Sequence, residues 1–224
     1  MVQGLRSRCA LTASVALLPL LAGCAPVFSD LQSARLAGTG RVEVTPSGSA
    51  YYFSGDDGTE HVENHAGLQL ATGIHDRVDL RLRYEHAFDA GVNVIALGPK
   101  VGVVKDKLAL SLPVGFAFGS DVQSSESWQF HPTLIGTLPL GRKAEWSTSV
   151  KALIPLSGED NDTLVAFNTG FGLSSNLDSW VLRPEVGLCF DPGEKGHYTQ
   201  VSVALTVFLG GPPAKKPAGG SALR

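Results

Sequence analysis

The chain has 224 residues, 21 acidic against 18 basic side chains for a formal charge of −3, and 43% hydrophobic residues. Such mild acidity gives no support for nucleic-acid binding, which relies on cations set against phosphates. Beyond the N-terminal region no stretch reaches the roughly 18 unbroken apolar residues of a spanning helix, so any membrane crossing falls to strands.

Residues 1–23 read as a secretory signal. Arg6 and Arg8 give the cationic start, and Ala10 to Leu21 are apolar apart from Thr12, Ser14 and Pro19. That run is shorter than the roughly 20 residues a spanning helix needs. It ends in Leu21-Ala22-Gly23-Cys24, which resembles the lipobox of bacterial lipoproteins. The resemblance implies cleavage before Cys24, a diacylated thiol and a further acyl chain, such as palmitate, on the new amine. Ala25 stands where lipoproteins retained at the inner membrane often carry Asp, which implies the outer membrane. An ordinary signal peptide that happens to contain a cysteine is the alternative. Cleavage removes two arginines and no acid, moving the formal charge from −3 to −5. Cys9 leaves with the signal and Cys24 carries lipid, so Cys189 stands without a disulfide partner and reads as a small apolar filler.

Residues 24–40 form a small polar lead, with at most a turn or two of helix around Asp30 to Leu36. From Arg41 to Leu209 the apolar period is two. In residues 78–85, Val78, Leu80, Leu82 and Tyr84 alternate with Asp79, Arg81, Arg83 and Glu85, which gives a strand one apolar and one charged face. The pattern predicts ten strands, near 41–54, 62–74, 78–88, 92–104, 108–118, 128–140, 144–156, 163–175, 179–190 and 198–209. Thr45-Pro46-Ser47-Gly48 interrupts the first, and eight strands is the fallback. Tight turns (His75-Asp76-Arg77, Lys105-Asp106-Lys107, Gly141-Arg142-Lys143, Asn176-Leu177-Asp178) alternate with generally longer acidic connections. That asymmetry belongs to all-β, antiparallel, up-and-down transmembrane β-barrels. An even strand count puts both ends of the barrel, and with them Cys24, on the periplasmic side.

A soluble barrel or sandwich also alternates, with its apolar face turned inward. Three features favour apolar side outward. The strands are long enough for the 9–11 residues of a tilted crossing. Aromatic residues gather at strand ends: Tyr51, Tyr52, Phe53, Tyr84, Phe88, Phe116, Phe118, Trp128, Phe130, Phe190 and Tyr198 beside the long loops, Trp146 and Trp180 beside the tight turns. The opposite face is rich in residues too small to fill a sandwich core. The lumen then receives Arg41, Glu43, Asp79, Arg81, Arg83, Glu85, Lys100, Lys151, Arg183 and Glu185. Ten strands lie close to the size that side chains fill, so these charges form a mutually neutralising polar core; a narrow pore with a charged constriction is the alternative.

Five histidines (His61, His65, His86, His131 and His197) fall in or near the long-loop half, and His75 lies at a tight turn. Acidic residues Asp56, Asp57, Glu60, Asp89, Glu159, Asp160, Asp162, Asp191 and Glu194 surround them. Imidazole beside carboxylate can serve acid–base chemistry or bind a metal, and His61 and His65 could share one strand face. The spacing matches no compact catalytic or metal motif, so His61, His65, His86 and His131 are weak catalytic candidates, and no metal or other cofactor is expected. The acidic loops Gly55–Gly58 and Gly158–Asp162 are oxygen-rich without the spacing of a calcium loop.

Residues 210–224 hold three prolines, Lys215, Lys216 and Arg224 and read as a flexible tail, with peptidoglycan contact as a further expectation. Four regions follow: signal 1–23, lead 24–40, barrel 41–209 and tail 210–224. The barrel pattern resembles small outer-membrane β-barrels, OmpX- or OmpW-like in broad character. The resemblance implies partners in outer-membrane lipid, lipopolysaccharide and the outer-membrane assembly machinery. It also implies a non-enzymatic structural or surface-binding role, although surface proteases and lipid A deacylases of this shape carry His, Ser and acidic residues at their outer rims. Surface hydrolase, narrow pore and soluble periplasmic barrel remain alternatives at this level.

Overall fold

A computed structural model of the chain describes residues 27–56, 58–119, 122, 127–156 and 162–211. The signal, Cys24, Asp57, Glu159, Asp160 and the tail beyond Gly211 lie outside the described residues.

The fold is an all-β, antiparallel, up-and-down closed barrel of ten staves, as the period-two pattern predicts. Its strands are β1 (Val42–Gly55), β2 (Gly58–His75), β3 (Val78–Ala87), β4 (Val92–Val104), β5 (Leu108–Ser111), β6 (Val114–Gly119), β7 (Trp128–Phe130), β8 (Thr133–Pro139), β9 (Ala144–Pro155), β10 (Leu164–Leu173), β11 (Trp180–Phe190) and β12 (His197–Leu209). Two staves are broken: β5 and β6 at Leu112-Pro113, β7 and β8 at His131-Pro132. Both halves of each keep pairing, β5 with β4 and β8, β6 with β4 and β7. Proline has no N–H to give a ladder, which accounts for a gap at each site. Closure runs from Val42 opposite Leu209 to Ser54 opposite His197. The Thr45–Gly48 interruption does not end β1; Thr45 and Pro46 pair only toward β2.

The faces are inverted relative to a soluble protein. On β3, Leu80, Leu82 and Tyr84 are 40%, 39% and 39% exposed, whereas Asp79, Arg81 and Glu85 are 0%, 7% and 2%. The same holds on β12, where Val201, Val203 and Leu205 face outward and Gln200, Ser202 and Thr206 are enclosed. Around the long-loop end the rings of Phe116 and Trp128 lie 4.9 Å apart, those of Phe167 and Phe190 5.7 Å. At the tight-turn end Trp146 and Trp180 are both exposed. Tyr51 and Tyr198 depart from the expected aromatic belt. Tyr51 is buried, and both pack on an apolar cluster inside the barrel.

The lead also differs from expectation. Among its described residues there is no helical turn, and these do not trail from the tight-turn end. Residues 27–39 run as an extended strap down the lumen, from the long-loop end to the tight-turn end, where the chain reverses into β1. Val27 packs with Ala87, Val92, Val94 and Ala117, and Phe28 with Tyr51, Leu153, Ala166 and Cys189, all beside the long loops. Lower down, Ala34 packs with Ala109 and Ile135. The strap leaves against Gly73 of β2, where Gly40 N–H donates to the Gly73 carbonyl at 3.3 Å. Only glycine fits there: a Cβ at Gly73 would stand 2.1 Å from the Gly38 carbonyl oxygen.

Candidate functional site

The strap and the wall around it form the site the fold builds. An extended segment has no internal hydrogen bonds, and buried backbone groups need partners. Non-helical backbone at membrane depth is tolerated where protein encloses it. Here wall side chains take the place of neighbouring strands. The Glu185 carboxylate accepts the N–H groups of Asp30 at 2.8 Å and Leu31 at 2.7 Å. Ala34 N–H donates to Thr137 Oγ1 and Ala37 N–H to Asp79 Oδ2, each at 2.8 Å. In the other direction Asn168 Nδ2 donates to the Phe28 carbonyl at 2.7 Å, Lys151 Nζ to that of Ser29 at 2.8 Å and Gln69 Nε2 to that of Asp30 at 3.0 Å. Lys100 Nζ donates to the carbonyls of Ser33 and Arg35. The strap is stitched along its length.

Period two carries the ten predicted lumen charges to the inner face. Nine are buried, and Arg83 is nearly so. Arg81 forks onto Glu43 at 3.2 and 2.7 Å, with Asp79 at 3.6 Å. Arg83 meets Glu85 at 2.6 Å, and Arg183 meets Glu145 at 2.9 Å. Lys151 meets Asp30 of the strap at 2.6 Å. Arg41 donates to the Asp178 carbonyl and lies 4.8 Å from the centre of the Phe208 ring. Lys100 and Glu185 are spent on strap backbone instead.

Asp30 and Glu145 add to the ten, and together these twelve are six cations and six carboxylates; Glu63 is a further enclosed carboxylate, and Arg35 a half-buried cation. Arg35 adds to the network at the tight-turn end, 3.8 Å from Glu145 and bonded to Asp178. Glu145 continues the alternation of Ser147, Ser149 and Lys151, so its place was readable from β9. Asp30 was hidden because nothing in the lead marks it as internal.

Bulky apolar residues also stand on the inner face, among them Ile135, Leu153 and Val181, all enclosed. In a water-filled lumen they would be misplaced. Against Ala34 and Phe28 the first two are core contacts. Near His131 the strap and wall leave a cavity of about 40 Å³ lined by Asp30, Gln32, Arg81, Arg83, Thr133 and Lys151, close to the volume of one liquid water, about 30 Å³.

The weak catalytic candidates do not converge. β2 carries one extra residue near its long-loop end, for Tyr51 pairs with Glu63 but Tyr52 with His61. This bulge at Val62 reverses the face, as an inserted residue must in a strand of period two. His61 is therefore outside, 5.4 Å from the Tyr52 ring, whereas His65 is buried against Tyr51. The two do not share a face. His86 Nδ1 lies 3.0 Å from Asn93 Oδ1, and its ring stands 5.0 Å from that of Phe88. His131 is buried inside, its Nε2 2.8 Å from Gln129 Oε1.

His65 lies 3.4 Å from Glu63 and 3.9 Å from Glu85, but all three are buried and Glu63 also accepts the Ala90 N–H at 2.9 Å. His197 and Asp191 lie on the exposed rim beside Glu194. Partial burial lifts the Asp191 carboxyl above its usual range, and the carboxylates of Asp162 and Glu194 add to that. Among the described residues no three His, Cys, Asp or Glu side chains are grouped to hold a metal ion.

No family model and no curated protein matches the chain. Three solved structures are similar in outline. The translocator domain of the autotransporter NalP from Neisseria meningitidis has a TM-score of 0.43 at 10% identity, over 74% of this chain and 88% of that one. The KdgM porin has a TM-score of 0.40 at 10% identity, over 73% and 98%. An outer membrane channel from Pseudomonas putida F1 has a TM-score of 0.40 at 9% identity, over 85% and 99%. Likeness at this level says nothing of activity, and the barrel assignment stands on this chain's own strand pairing.

Proposed function

We propose that the protein is a bacterial outer-membrane β-barrel lipoprotein, lipidated at Cys24, whose lumen is closed by its own N-terminal strap and whose role is structural or surface-binding rather than enzymatic. The observation that carries this reading is the inversion of faces: outward side chains are predominantly apolar, while enclosed cations and carboxylates pair with one another. A soluble barrel would expose the charged face and hide the apolar one. Membrane lipid and lipopolysaccharide are the partners of such a belt, and assembly machinery is needed to place it there. By the usual asymmetry of these barrels, the tight turns and the end of β12 face the periplasm and the longer loops face outward. The basic tail, with Lys215 and Lys216, could then meet peptidoglycan. The strap argues against a resting pore, and the division of His61, His65, His86 and His131 between two faces argues against a surface hydrolase.

Membranes extracted with detergent and run on a gel with and without boiling test the reading. A lipid-embedded barrel migrates differently in its unboiled, folded form. Identical migration, together with release of the protein by washing without detergent, would contradict it. Mass spectrometry of the mature N-terminus tests the lipid separately; the acylated residue is expected to be Cys24, and a free thiol there removes that part.

A further inference from the structure

We propose that the strap enters the lumen at the long-loop mouth, where Val27 lies, so that acyl chains on Cys24, three residues upstream, belong to the leaflet at that end, opposite the side on which β12 finishes. The inference rests on the membrane-spanning, Cys24-acylated reading above and adds to it a direction.

The order of contacts along β3 and β9 fixes the direction. Ser29 bonds Arg83 and Glu85, near the long-loop end of β3, and Ala37 bonds Asp79 near its other end. On β9, Ser29 meets Lys151 and Arg35 approaches Glu145 in the same descending order. The upstream chain cannot double back through the lumen. Val27 to Leu31 are enclosed on all sides, and wall side chains bond the strap from opposite staves, which leaves no room beside them for a second strand.

Reach settles the leaflet. Cys24 lies three residues before Val27, a span of at most about 11 Å when fully extended, whereas the hydrocarbon core is about 30 Å thick. An acyl chain on Cys24 therefore cannot reach the leaflet at the tight-turn end. Because β1 and β12 pair from Val42–Leu209 to Ser54–His197, the closed wall offers no side exit. The end product displays its lipidated N-terminus at the long-loop surface, in contrast to a lipoprotein whose anchor lies on the periplasmic side.

Two epitope insertions decide this, one between Ala25 and Pro26 and one after Gly211, each probed with antibody on intact and on permeabilised cells. The two epitopes are expected on opposite sides, the upstream one reached on intact cells and the downstream one only after permeabilisation. Both on the same side would overturn the proposal. Opposite sides with the order reversed would uphold the threading and overturn the orientation assumed above, and the mass of Cys24 reports acylation independently. Should either insertion block folding, a Val27→Cys, Ala87→Cys pair at the long-loop mouth answers alone. A cross-link in the unboiled protein upholds the strap, and its absence in a barrel that still shifts on boiling overturns it.

Discussion

Lys151 Nζ and the Asp30 carboxylate lie 2.6 Å apart, joining β9 to the luminal strap through two enclosed side chains. Breaking such a pair from one side strands the other charge, at a cost of about 3–5 kcal/mol. Asp30→Ala is therefore expected to lower the denaturation midpoint of the detergent-extracted barrel sharply. Removing both charges in an Asp30→Ala, Lys151→Met variant should recover much of the loss. Equal losses in the single and double variants would mean the two groups are not coupled.

Gly73 makes a different demand. A side chain there meets the Gly38 carbonyl and the Thr39 nitrogen, at 2.1 and 2.7 Å from the Cβ, and the backbone must shift. Overpacking of this kind costs about 1–3 kcal/mol. Gly73→Val should lower thermal stability in the full chain but not in a variant lacking residues 27–39. A penalty of the same size in both would place the clash elsewhere.

How much of this the sequence made legible follows from period. The alternation in residues 78–85 is strict, so β3 and its faces were readable, as were the tight turns at residues 75–77 and 141–143. The strap has no such pattern. Val27, Leu31, Ala34 and Ala37 have a helical spacing, which is what suggests a turn of helix there; the strap is not helical because it is enclosed all round and its backbone is held by side chains of the wall. Its signature lies instead in Ile135 and Leu153, apolar residues on strand faces otherwise polar. The bulge at Val62 was invisible for another reason. Nothing local distinguishes an inserted residue in a strand whose neighbours, His61, Glu63 and Asn64, are all polar.

That bulge gives a chemical prediction. Diethyl pyrocarbonate applied to the folded protein should modify His61, which is exposed, and spare His65, which is enclosed by Tyr51 and Glu63. Peptide mass spectrometry reads both sites. Equal modification of the two would return His65 to the surface and undo the register of β2.

The central claim is a membrane barrel closed by its own chain, and single-channel recording in a planar bilayer tests it most directly. The full protein should be electrically silent. The variant lacking residues 27–39 loses the segment that occupies the lumen, and it should show discrete conductance steps. Steps of the same size from both proteins would contradict the account, for they would mean that the strap does not close the lumen.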